Sequence, residues 1–335
     1  MLRSDRTGVV GFLSCMLRND LYRLDWQKRG QMEKYSFVQW ILIFYLFSFF
    51  GWILESTFVS VVKKRIVNRG FCTGPWIPLY GCGGVVMLFV ALPFYNSAIM
   101  VFFAGMVGAS VLEYVTGIIM EKIFSIRYWN YTGTPFASKN GYISLPTSIV
   151  WGVLTLVLTY VWAPWINGWI FDIKKSTEIF IAFILTILFI TDTIMSVKTA
   201  LNIKNMSQLI SVINKDLEGV QAKLHAEVYK IWMEIPEETR SFIAESNTVE
   251  MLQQIHKELG DQRAKNADIM YNKYLELHNK REAVLQRVDW FMKQTIKGNP
   301  NATSTLAGFE HLKARIENRI EAGINILKEH KDDLK

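Results

Sequence analysis

Four carboxylates of this chain sit where charge is costly. Glu55, Glu113, Glu121 and Asp192 each lie within or at the end of a long apolar run. A charge held in hydrocarbon costs about 2.5 to 3.5 kcal/mol on insertion scales, so an acid kept there has a task or a partner. No Lys or Arg falls in the centre of any of these runs. The acids are therefore protonated, hydrated in a cavity, or reached from the run ends by Arg69 or Arg127. Read functionally, Glu55, Glu113 and Glu121 line a polar cavity that binds a cation, a proton or a polar headgroup, with Asp192 as a further candidate. Read structurally, they are glue between helices.

Two polar motifs accompany the acids. The first runs Asn68-Arg69-Gly70-Phe71-Cys72-Thr73-Gly74-Pro75-Trp76-Ile77-Pro78-Leu79-Tyr80-Gly81. Asn68, Arg69 and Tyr80 are its candidate binding residues, with Arg69 suited to bidentate bonding of phosphate or carboxylate. Gly70, Gly74, Pro75, Pro78 and Gly81 are its structural positions. Pro75 suits the first turn of a helix, and irregular backbone of this kind is tolerated at membrane depth only when buried in protein or lining a wet cavity. The second motif, Arg127-Tyr128-Trp129-Asn130-Tyr131, adds Arg127 and Asn130 as candidates. Its aromatic residues read as anchors at a membrane interface.

The elements that must position these residues are apolar spans near the 20 residues that cross a bilayer. Five are expected, at about 36–62, 75–95, 97–124, 143–166 and 177–201, giving an all-α polytopic bundle. On the third, Gly105, Ala109, Glu113, Gly117 and Glu121 recur every four residues, a packing seam along which a second helix approaches closely. Ser48, Gly51 and Glu55 form a similar face on the first. Basic residues follow the first span (Lys63, Lys64, Arg65, Arg69), the third (Lys122, Arg127, Lys139) and the fifth (Lys198, Lys204), which places those exits and the C-terminal half in the cytoplasm. Trp162, Trp165 and Trp169 mark the outer interface.

Residues 1–201 carry 17 Lys and Arg against 10 Asp and Glu, whereas 202–335 carry 20 of each, so the net charge of +7 belongs to the membrane half. Basic residues gathered beside apolar spans anchor a membrane protein and do not track a nucleic acid. Seven of them fall in residues 1–35, a segment that resists being left outside. Met32 reads as the start of the natural protein, with the preceding stretch untranslated. Three cysteines make no disulfide framework, Cys72 and Cys82 read as small apolar residues, and no metal-ligand spacing is present.

After Asn202 the chain turns polar. Ile210, Ile213, Leu217, Val220, Leu224 and Ile231 form one heptad-like row, Met270, Tyr274, Leu277, Val284, Val288 and Phe291 a second, and Phe309, Leu312, Ile316 and Leu327 a third. These predict a coiled-coil or helical-hairpin tail over 202–335, divided at Pro236 and at Lys297-Gly298-Asn299-Pro300-Asn301. The five histidines, His225, His256, His278, His311 and His330, all fall here and read as solvated or packed.

Gly51-Trp52-Ile53-Leu54-Glu55, the Asn68–Gly81 run, Leu112-Glu113-Tyr114 with Glu121, and Arg127–Tyr131 followed by Asn140-Gly141 and Trp151-Gly152 resemble a bacterial family of ABC-transporter permeases of the CmpB type (type IV), over about residues 37–165. The resemblance implies a transport permease in a bacterial cell membrane. With no G-x-x-x-x-G-K-[ST] loop in the chain, ATP would act through a separate ATP-binding cassette subunit. Five helices are few for a pathway, so a homodimer is also expected. Two other readings fit the residues: an integral-membrane enzyme acting on a lipid or polyprenyl substrate, with Glu55 or Glu113 as acid or base and Arg69 on a headgroup phosphate, and a scaffold or sensor whose tail recruits a partner.

Overall fold

An apolar span satisfies its backbone amides in lipid by becoming a helix. The computed structural model describes residues 35–234 and 262–318 and is built of helices: α1 Phe37–Lys63, α2 Pro78–Ala91, α3 Ala98–Phe124, α4 Leu145–Asp172, α5 Lys175–Glu234, α6 Gln262–Gln286, α7 Trp290–Gly298 and α8 307–318. Two short strands, β1 Ile126–Arg127 and β2 Thr303–Ser304, pair antiparallel, Ile126 opposite Ser304 and Arg127 opposite Thr303. The expectations resting on residues 1–34, Pro236, His256, Leu327 and His330, and on the side chain of Ile231, lie outside the described residues.

Among the described residues, four helices are long and apolar enough to cross a membrane: α1, α3, α4 and the apolar part of α5. The second expected span is shorter than its sequence suggests. Residues 75–77 are not helical, Pro78 and not Pro75 takes the first helical turn, and α2 with the 3-10 turn Leu92–Phe94 ends at Phe94. At 1.5 Å per residue that is roughly 25 Å, just under the thickness of a hydrocarbon core. The helix expected to close at 201 continues without a break to Glu234.

Helix α4 starts on a capping box, in which Thr147 donates its backbone N–H to Ser144 Oγ and returns its hydroxyl oxygen to the Ser144 N–H. Further along, Leu158–Trp162 form a π turn just ahead of Pro164. A proline in mid-helix lacks an N–H and its ring crowds the carbonyl four residues back, and a local change in hydrogen-bond register relieves both.

The described chain divides into two compact units. The first holds residues up to Ile53, Trp76–Tyr114 and Gly133–Ile190; the second holds Leu54–Pro75, Val115–Thr132 and residues from Thr191 onward. The expected boundary at 201/202 thus falls inside one helix and one unit.

In the first unit, glycines set helix spacing. A Cβ on Gly51 would collide with Tyr80, one on Gly81 with Ser48 and Phe44, and one on Gly84 with Phe47, so α1 and α2 touch nearly backbone to backbone. Ile43, Phe47, Leu88, Ala109, Trp151 and Ile166 lie in its core. Gln39 donates to the buried Glu178 at 3.0 Å, and Tyr45 donates its hydroxyl to Thr186 at 2.9 Å.

In the second unit, described members of each of the three rows of the polar tail enter one core. Ile210, Ile213 and Leu217 of α5, Leu277 and Val284 of α6, and Phe309, Leu312 and Ile316 of α8 pack with Phe124, Ile126 and Tyr128. The tail residues therefore form a helical core together with the second polar motif. Tyr128, read from sequence as an interface anchor, is buried there, with its ring 5.7 Å from that of Phe71.

Candidate functional site

The seam on α3 is laid against α4. Gly105 faces Thr155 so closely that a Cβ would overlap its side chain, and Gly152 meets Phe102 in the same way. Ala109 is buried on this face, Ser110 donates its hydroxyl to Ser148 at 2.7 Å, and Glu113, 3% exposed, receives the indole N–H of Trp151 at 3.0 Å. Tyr80 leans on the same indole, ring centres 5.5 Å apart. The opposite face of α3 shows Phe103, Val107, Val111, Val115, Ile119 and Ile123, all exposed at four-residue spacing. On a soluble protein that would be an outsized apolar patch; on a spanning helix it is the lipid face.

The second site is the connection from α1 to α2. Its irregular backbone leans on side chains of two helices. Val67 and Arg69 donate their backbone N–H groups to Ser60 Oγ at 2.9 Å and Ser56 Oγ at 3.1 Å, four residues apart on α1. Thr73 and Gly74 donate theirs to Ser196 Oγ at 3.2 Å and Asp192 Oδ2 at 3.0 Å, four residues apart on α5. This is the satisfaction that non-helical backbone needs near a bilayer. Asn68 turns inward and donates its amide to the Thr73 carbonyl. Cys72 is buried beside Asp192, and burial first, then that carboxylate, pushes its thiol up to about 12.

Arg69 is engaged by the protein itself. Its Nε lies 3.6 Å from Glu55 Oε2, and its Nη1 donates to Asn299 Oδ1 at 3.0 Å and to the Gly298 carbonyl at 3.3 Å. Gly70 takes φ +123°, a conformation reserved for glycine, and its carbonyl accepts the Asn299 amide at 2.9 Å.

Arg127 reaches Glu121 at 2.6 Å, an ion pair three-quarters or more buried on both sides. Ser125, at φ +56°, ends α3 and turns the chain into β1, while Lys204 caps the Ile123 carbonyl at 2.8 Å, where a cation suits a helix C-terminus. Asn130 is exposed, its side chain closing a local turn onto Thr132, away from the buried residues. Gly117 is buried.

Each acid thus has its own partner: an indole for Glu113, arginines for Glu55 and Glu121, a backbone amide for Asp192. Sequence reasoning named the acids and both arginines but missed Trp151, Ser56, Ser60, Ser196 and Asn299. The serines on α1 carried a legible signal, since they recur at i, i+4 on an otherwise apolar helix, and Asp192 and Ser196 repeat that spacing on α5. Asn299 carried none beyond its place in a Gly-Asn-Pro turn.

Spanning helices with a lipid-facing stripe and individually partnered carboxylates define a multi-pass helical membrane protein. Residues 42–197 match the family described as "Putative ABC-transporter type IV". The match extends past the motifs that suggested it and takes in Asp192 and Ser196. No curated protein and no solved structure matches the chain.

Proposed function

We propose that the chain is the permease-like membrane component of a transporter, with Glu113 as its intramembrane ligand for a cation, a proton or a polar group. The observation that carries this is the setting of Glu113: a carboxylate 3% exposed on a spanning helix, held by a neutral indole donor. An acid kept buried at that depth has a task or a partner, and in a transport component the task is to bind the cation, proton or polar group that passes. The family match supports the transport class. In the second unit, the loop held on Asp192 and Ser196 is the element suited to move, because polar contacts to side chains are remade more readily than helix ladders.

ATP hydrolysis belongs to a separate cassette subunit in this proposal, since the chain has no phosphate-binding loop. The basic residues at Lys63 to Arg65, Lys122 and Lys204 support a cytoplasmic C-terminal half. The lipid-enzyme reading asks Arg69 to hold a headgroup phosphate, and the engagement of that guanidinium by Glu55 and Asn299 favours transport over it.

Purification from the native host in mild detergent, followed by mass spectrometry of what stays bound, tests the proposal. A stoichiometric ATP-binding cassette subunit is the expected result. Its repeated absence, with a tightly held lipid in its place, would overturn it.

A further inference from the structure

The tail lies outside the family match, yet one of its residues completes the α1–α2 loop from the other side. Asn299 is 2% exposed and bonds in both directions: its oxygen accepts from Arg69, and its amide donates to the Gly70 and Thr295 carbonyls at 2.9 and 2.8 Å. Its neighbour Gly298 has no room for a side chain, because a Cβ would strike the Asn68 carbonyl oxygen. Consecutive tail residues therefore seat against three consecutive loop residues. The remainder of α7 is fixed by Met292 and Ile296 in the core that also takes in Phe71 of the loop.

We propose that Gly298–Asn299 is a latch through which the C-terminal region controls the loop Asn68–Pro75, and through it the contacts of Thr73 and Gly74 with Ser196 and Asp192. Latched, Asn299 holds the Gly70 carbonyl while Gly70 keeps a conformation only glycine adopts readily, and Thr73 and Gly74 further on bond to α5. Unlatched, Arg69 loses this acceptor and the Gly70 carbonyl this donor, and the Thr73 and Gly74 amides are held by α5 alone. A signal received anywhere on the tail core that shifts α7 would be felt at Asp192 without any contact to it. This makes the tail a control element for the membrane part, a role independent of what is transported.

Hydrogen exchange of the full chain in lipid nanodiscs, read by mass spectrometry, tests the latch. Asn299→Ala removes two hydrogen bonds to the loop and should speed exchange of the Thr73 and Gly74 amides about tenfold, with the α8 amides unchanged. Loop exchange at the wild-type rate in a folded variant would overturn the proposal. Should Asn299→Ala loosen the whole tail, seen as faster exchange through α8, Asn299→Asp decides: it retains an acceptor for Arg69 and removes the donor to Gly70. Faster loop exchange with α8 intact supports the latch, and unchanged loop exchange, or an effect confined to α8, overturns it.

Discussion

The indole N–H of Trp151 meets the Glu113 carboxylate at 3.0 Å on the seam between α3 and α4. Removing the donor and removing the charge should therefore have different effects. Trp151→Phe leaves the acid in place without this bond, and an acceptor left short in a buried setting costs about 1–3 kcal/mol. Glu113→Gln retains an oxygen for the indole and should cost less than about 1 kcal/mol. Thermal unfolding in detergent checks the order. If Glu113→Gln is as stable as wild type but inactive in transport, the carboxylate acts through its charge; a Trp151→Phe protein as stable as wild type would show that the indole bond holds nothing together.

The same seam predicts how glycine substitutions rank. Gly105→Ala and Gly152→Ala place a methyl onto Thr155 and Phe102, and overpacking of this kind costs about 1–3 kcal/mol. Gly168, also on α4, has open space where a methyl would go, with nothing within 4 Å of it. Gly168→Ala should therefore be neutral or slightly stabilising, because alanine is the better helix former. Equal unfolding temperatures for all three variants would mean that α3 and α4 are not packed this closely.

How much of this was legible follows from the range of each signal. The four-residue repeat from Gly105 to Gly117 is local, and helix geometry alone turns it into a seam, so the seam and its acid were readable. The arginine partners were readable because few cations lie near the acids. What the repeat could not supply was the facing residue: Trp151 lies 38 positions from Glu113, and nothing in its own neighbourhood marks its N–H as the donor. The loop misled in a different way. Pro75 and Pro78 both suit a first helical turn; Pro78 takes it, and the backbone just ahead of Pro75 is held at Thr73 and Gly74 by α5, more than a hundred residues away. Asn299 is more distant still, 230 positions from Arg69. Members of each of the three apolar rows of the tail do pack in a core, but a row specifies a buried face without naming what covers it, and here the cover includes Phe124, Ile126 and Tyr128.

Cys72 offers a chemical test of the loop. Its thiol is pushed up to about 12, chiefly by burial and next by the nearby Asp192 carboxylate. The thiolate is the reactive form, so at pH 8 only about one thiol in ten thousand is ready to be alkylated. The folded state favours the neutral thiol; its contribution to stability is whole below the ordinary cysteine range, near pH 8.5, and is lost as the pH climbs toward 12. In a protein with Cys15→Ser and Cys82→Ser, alkylation of Cys72 should be slow at pH 8 and keep rising about tenfold per unit beyond pH 9. Asp192→Asn removes the carboxylate charge that disfavours the thiolate, and should move the profile to lower pH. It also weakens the acceptor for the Gly74 amide, so the variant should react faster on both counts. A plateau in the wild-type profile near pH 9 would mean that Cys72 meets solvent freely and that the loop is not seated on Asp192.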